Sequence, residues 1–201
     1  MPKPIFHLWI ARQLAMQHPL LHTPDFYLGH IAPDAALSRK DPPENFKNRT
    51  HLTASTADKD KWTQSVCDYY ASLTSPSPFD IGYCMHVLTD IEFRKFMRRY
   101  YEQLDIPSAE HEAYDKVIMP LMFSQLFDTE GDFLKCVHLA KNSTLTEFPF
   151  SITREEMIDN IRFAEHSYPY TDIKLSPTIP VPNARKLGAE IIRVLLQKAP
   201  L

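Results

Sequence analysis

The chain has 201 residues, enough for one domain of ordinary size whose core needs no staples. Hydrophobic residues make up 44% and charged residues 23%, and the net charge of −3 lacks the basic excess that a dedicated nucleic-acid binder requires. Three cysteines, Cys67, Cys84 and Cys136, show no metal-type spacing and cannot all pair internally, which fits a reducing, cytoplasmic compartment.

Glycine is scarce (four) and proline frequent (17), and the prolines fall between periodic segments, as expected of helices with proline at their starts. The first predicted helix runs over about Ile5–Gln17. Lys3 followed by apolar residues suggests a targeting segment, but His7 and Arg12 interrupt the run and no small-residue cleavage site follows, so it reads as the first helix of the mature protein. A short helix over about Asp25–Ile31 follows the cap "TPD". The polar stretch "APDAALSRKDPPENFKNRTHLT" reads as a loop. Helices over about Ala57–Leu73 and Pro78–Leu104 come next, then one from about Ser108 that Pro120 should kink or split. "GDFLKCVHLAKNS" and "TREEMIDNIRFAEH", the latter with a Thr153–Glu156 capping box, are further helices. "YPYTDIKLSPTIPVP" reads as an extended connector, and "NARKLGAEIIRVLLQK" as the last helix. There is no alternating strand pattern, internal repeat or run of about 18 apolar residues. The expectation is a single all-α domain over residues 1–201 with no transmembrane segment.

Five polar side chains stand where such a bundle should be apolar or featureless. His86 and Asp90 lie one helical turn apart on the stripe Phe79, Gly82, Tyr83, Phe93, Met97. A buried unpaired carboxylate there would cost several kcal/mol, so Asp90 requires a cation: a protonated His86, an arginine from another helix, or a divalent metal. His7 shares the inward stripe of Ile10, Ala11 and Leu14; alone it would be a core histidine bonded to a carbonyl. Asp34 follows a short apolar helix in a Pro-stiffened loop, where a cap or turn role is the plain alternative. His51 ends the polar loop, where histidines are usually solvated. Taken together, His7, Asp34, His51, His86 and Asp90 form a nitrogen and oxygen donor set of the kind zinc uses in catalytic sites, drawn from four segments as in bundle metal sites. Ligand type equally admits manganese or iron.

The order "HLWIA", "FYLGHIAPDA", a loop ending in "TH", then "GYCMHVLTDI" resembles the zinc-dependent phospholipase C family over about Met1–Arg94. The resemblance implies an all-α bundle of phospholipase C/P1 nuclease type. It implies one zinc held by Asp34, His51, His86 and Asp90, and a second held by His7 and a bridging Asp90. Secreted members add the amino group of a mature N-terminal tryptophan, which a chain starting Met1-Pro2 lacks, so one ion or two are expected. They also carry a further histidine and an HxxxE beyond the helix pair. Here "FRKFMRR" has no histidine, and "HEAYD" offers only His111 and Asp115, for which a solvated helix face is the plainer role. His138 and His166, near helix ends, read as surface or dipole-facing histidines, and His18, His22 and His30 as structural or solvent-facing.

The expected activity is metal-dependent hydrolysis of a small phosphoester by metal-activated water, with Asp34 as general base. Lys59 and Arg94 are candidate phosphate contacts, with plain surface charge as the alternative. Gly82 leaves room for substrate or for a packed helix. The rival expectations are a non-catalytic protein with a structural zinc, and a single-strand nuclease whose stacking rings would be Phe26, Tyr27 and Tyr83. A membrane-surface substrate is less expected, since no strongly basic amphipathic helix is visible. Oligomeric state is not legible.

Overall fold

Caps and prolines decide where the helices of the computed structural model begin; it describes residues 3–53, 58–166 and 180–198. Helix α1 (Pro4–Gln17) and α2 (Pro24–Gly29) each start on a proline, whose missing N–H is not needed in a first turn. Thr23 accepts from Phe26 N at 3.3 Å to close the start of α2. Two short helices follow, α3 (Ala32–Ala35) and α4 (Phe46–Thr50). Helix α5 (Lys59–Ser72) is capped by Asp58, and α6 (Pro78–Gln103) by a reciprocal Ser77–Asp80 box. Then come α7 (His111–Phe123), α8 (Glu130–Lys141), α9 (Arg154–Glu165) with the Thr153–Glu156 capping box, and α10 (Ala184–Lys198). Among the described residues there is no strand, and no helix is long and apolar enough to cross a membrane.

Helix α6 is the axis of the bundle. Helices α1, α2, α3, α5 and α10 all pack on it, while α8 covers α1, α2 and α9. From Gly82 to Ile91 every residue of α6 is buried, so this half has no solvent face. Burying Val87 and Ile91, both fully enclosed, contributes about 1.5–3 kcal/mol each. The approach of α2 is set by two glycines. A Cβ on Gly82 would collide with the Phe26 carbonyl oxygen, and one on Gly29 would lie 2.9 Å from Tyr83 N and clash with the Phe79 carbonyl. Close helix packing is thus the role Gly82 serves.

Three departures from the sequence expectations matter. The polar stretch after α2 is not one loop, because α3 and α4 lie within it. Pro120 does not split its helix: α7 runs three residues past it and ends at Phe123. Its missing N–H leaves the Lys116 carbonyl without its helical partner. Phe26, Tyr27 and Tyr83 are core residues, all at most 1% exposed, so none is placed to stack on a base. The start of the predicted helix at Ala57 and residues 168–179 of the predicted connector lie outside the described residues.

Candidate metal centre

Helix α1 carries His7 inward among Ile10, Ala11 and Leu14, all buried. Helix α6 presents His86 and Asp90 on adjacent turns towards it, and the His7 and His86 rings stack 3.7 Å apart at 10°. Asp34 comes from α3, whose single turn is anchored by Asn160 of α9 donating to the Ile31 carbonyl at 2.7 Å. His51 caps the end of α4. Leu52 immediately after it takes φ 53°, a left-handed conformation that a leucine adopts only when its surroundings impose it. That turn leaves the His51 ring inside the protein.

The five side chains predicted from sequence therefore meet in one place. His51 Nε2 lies 3.3 Å from Asp34 Oδ1 and 3.8 Å from Asp90 Oδ2. His7 Nε2 lies 3.4 Å from Asp90 Oδ1, and His86 Nε2 lies 3.9 Å from Asp34 Oδ1. Ligand atoms of His7, Asp34 and His86 lie within 4.8 Å of one another, as do those of His51, His86 and Asp90. His86 is common to both triplets, whereas the resemblance implied Asp90 as the shared residue. The two oxygens of Asp90 nevertheless face different imidazoles, which is the disposition of a bridging carboxylate.

Backbone carbonyls fix which nitrogen of each ring faces inward. His86 Nδ1 lies 2.8 Å from the His30 carbonyl oxygen, and His51 Nδ1 lies 3.0 Å from that of Lys47. A carbonyl only accepts, so both Nδ1 atoms carry a proton, and Nε2 of a neutral ring is then left with a lone pair. Metal-ligating histidines are held in this way. Trp62 donates Nε1–H to the His51 carbonyl at 2.7 Å, and the Tyr83 hydroxyl donates to the Thr50 carbonyl, so the backbone behind His51 is pinned on both sides.

The consequence is a set of lone pairs facing lone pairs. His51 Nε2 and His86 Nε2 point at carboxylate oxygens, and contacts of that kind are repulsive unless a proton or a cation lies between them. His86 Nε2, both nitrogens of His7 and both oxygens of Asp90 are buried without a hydrogen-bond partner. Burial, reinforced by neighbouring His7, pushes the His86 imidazole down to about 4, so it is neutral at pH 7. Burial also pushes the Asp34 and Asp90 carboxyls up, but the positive charge and N–H donation that imidazoles supply outweigh it and hold both below their ordinary value; where an imidazole is neutral, as His86 is, a cation would take over that role. Two ionised carboxylates thus sit in the interior, and among the described residues the basic groups within 4 Å of them are imidazoles. A divalent ion balances that charge and occupies the orphaned atoms, and these buried groups can hold one. Asp34, with 9% of its side chain exposed, marks the edge of the centre nearest to solvent.

Other histidines are placed elsewhere. His111 Nε2 lies 3.1 Å from the Ile106 carbonyl, its ring stacks on Tyr101 at 4.1 Å, and Asp115 accepts from the Tyr101 hydroxyl. These two are half-buried against Tyr101 rather than solvated, and they stand outside both groups of potential ligands. His22, His138 and His166 are exposed and His18 is half-buried. His30 is fully buried with neither nitrogen partnered, its ring edge-on to Phe26 at 4.9 Å. Its carbonyl, together with Trp62, Tyr83 and Asn160, supports the centre in ways no sequence spacing signals. A buried asparagine on the apolar stripe of α9 was the one legible hint. Set against protein-family models, curated proteins and solved structures, the chain matches none, so what the centre does has to be read from its own geometry.

Proposed function

We propose that this chain is a metal-dependent hydrolase of phosphoesters, with zinc as the ion and a bundle of phospholipase C/P1 nuclease type. The observation that carries the reading is the inward set of imidazole nitrogens and carboxylate oxygens, those of His7, His86 and Asp90 orphaned in the core, which reaches solvent at Asp34. His7, Asp34, His51, His86 and Asp90 would hold one or two ions. When bound, zinc lowers the pKa of a coordinated water towards neutrality and polarises a phosphoryl oxygen. The chain's own residues supply the rest. The His30 and Lys47 carbonyls keep His86 and His51 in the tautomer that leaves Nε2 free. Asp34, ionised at neutral pH and nearest to solvent, takes the proton from the attacking water. The fully enclosed His7 and His86 exclude bulk water from the far side.

Elemental analysis of protein purified without chelators, followed by a panel of phosphomonoesters and phosphodiesters, tests this. About one or two zinc ions per chain and an activity lost in Asp34→Asn are expected. A folded, metal-free chain with no turnover on any phosphoester overturns it. A second reading, a structural ion without catalysis, is favoured by how nearly closed the centre is, since His7, His86, Asp90 and His51 are at most 2% exposed. It calls for chelator-induced unfolding with no hydrolysis.

A further inference from the structure

One turn beyond Asp90 on α6 stands Arg94, half-buried, with its guanidinium carbon 5.1 Å from the centre of the Trp62 ring. Lys59, the first residue of α5, places its ammonium 4.9 Å from the same ring. Trp62 is also the residue that donates to the His51 carbonyl, so the indole ties this pair of cations to the wall of the metal centre. Neighbouring cations on α6 are differently treated. Lys95 has Glu92 at 3.3 Å and Asp60 at 3.7 Å, and Arg98 has Glu102 at 3.2 Å. Arg94 has no carboxylate within 4 Å among the described residues, and its Nε is buried without a hydrogen-bond partner. Burial and the charges of Arg94, Arg98 and Lys95 depress the Lys59 ammonium, while Asp90 acts in the opposite sense. A buried guanidinium N–H without a partner, held beside a second cation on one indole, is unfavourable unless an anion completes it.

We infer that Arg94 and Lys59, stacked on Trp62, form an anion subsite that takes the non-bridging oxygens of a phosphoryl group beside the metal centre, with a preference for a dianionic monoester. The inference rests on the hydrolase reading for its substrate. A guanidinium presents two parallel N–H donors to two oxygens of one tetrahedral anion, and a lysine adds a movable point charge. Two positive charges favour a terminal phosphate, which carries two negative charges, over the single charge of a diester. Arg94 also lies on the stripe of His86 and Asp90, so an oxyanion held there lies along the face that bears the metal ligands.

The test is titration of inorganic phosphate into the full chain by calorimetry at about 0.15 M salt, where weak surface attraction is screened. Zinc-loaded and chelated protein, with metal content read on the same samples, are compared for wild type, Arg94→Gln and Lys59→Gln. Expected are saturable phosphate binding, a loss of about tenfold in affinity in Arg94→Gln, a smaller loss in Lys59→Gln, and unchanged metal content in both. Lys59→Gln, at the start of a helix, keeps the test decisive should Arg94→Gln fold poorly. Affinity for monomethyl phosphate above that for dimethyl phosphate, with the gap closing in Arg94→Gln, supports the dianion preference. Absent phosphate binding, or equal affinity in wild type and both variants, overturns the subsite. If the wild type holds no metal, the hydrolase reading falls, while the same phosphate titrations still decide the subsite.

Discussion

Three segments of this chain carry a histidine and an aspartate four residues apart, His30/Asp34, His86/Asp90 and His111/Asp115, and the structure treats the last two in opposite ways. His86 and Asp90 lie on the helix that runs through the core, at most 1% exposed, and their inward atoms have no hydrogen-bond partner. His111 and Asp115 lie half-buried on α7, and Ile106 and Tyr101 take up the imidazole nitrogen and the carboxylate oxygen. Spacing alone therefore distinguishes nothing. What separates the pairs is whether the protein itself satisfies the polar atoms. Where it does, the pair is part of the packing; where it does not, the orphaned donors and acceptors are free to hold an ion.

The contrast breaks most sharply at Asp90. Asp90→Ala removes the carboxylate that faces both His7 and His51, and metal affinity should fall by at least about 100-fold, since even outer partners of metal ligands are worth 10–100-fold. Calorimetric titration with zinc measures it, and phosphoesterase activity should fall in parallel. An affinity within about threefold of wild type would place the ion elsewhere.

Next in size is the packing that sets His86. Gly82→Ala drives a methyl into the Phe26 carbonyl, and α2 must move away from α6. A loss of about 3 kcal/mol, or roughly 10 °C in Tm, is expected by thermal unfolding. Zinc affinity should also fall, because the His30 carbonyl that orients His86 rides on the end of α2.

A third test uses pH on the metal-free protein. The His86 pKa is about 4 when folded and about 6.5 in an unfolded chain, so below pH 6.5 the unfolded state binds more protons. Stability then rises with pH across this window and is lost as pH falls through it. His30, held low by burial and by His7 and His86, acts in the same sense. Asp34 and Asp90, also depressed, add a further loss below about pH 4. Urea denaturation at pH 7 and pH 5 should differ by on the order of 2 kcal/mol for His86 alone. A flat or inverted profile would mean that the imidazoles are charged in the fold.

The smallest effect belongs to the other pair. His111→Ala should cost about 1 kcal/mol through its contacts with Ile106 and Tyr101, and leave zinc stoichiometry untouched.

Much of this arrangement is written in local pattern. The inward positions of His7, His86 and Asp90 follow from 3.6-residue periodicity, because long helices repeat it over several turns. Helices α3 and α4, of four and five residues, are too short to show a period, so Asp34 and His51 were legible as site residues only through their place in the set and the resemblance. Their anchoring by Asn160, Trp62 and Tyr83 depends on contacts between residues from 11 to 129 positions apart, which no window along the chain registers. Gly82 was legible as a place of close approach, but its partner Gly29 became visible only when α2 and α6 met.

X-ray diffraction at the zinc absorption edge, from crystals grown with zinc, tests the central claim most directly. An anomalous peak about 2.0–2.2 Å from His86 Nε2 and from an oxygen of Asp34 or Asp90 is the expected result. A flat anomalous map there, with the five side chains hydrogen-bonded to one another through protons and water, would contradict it.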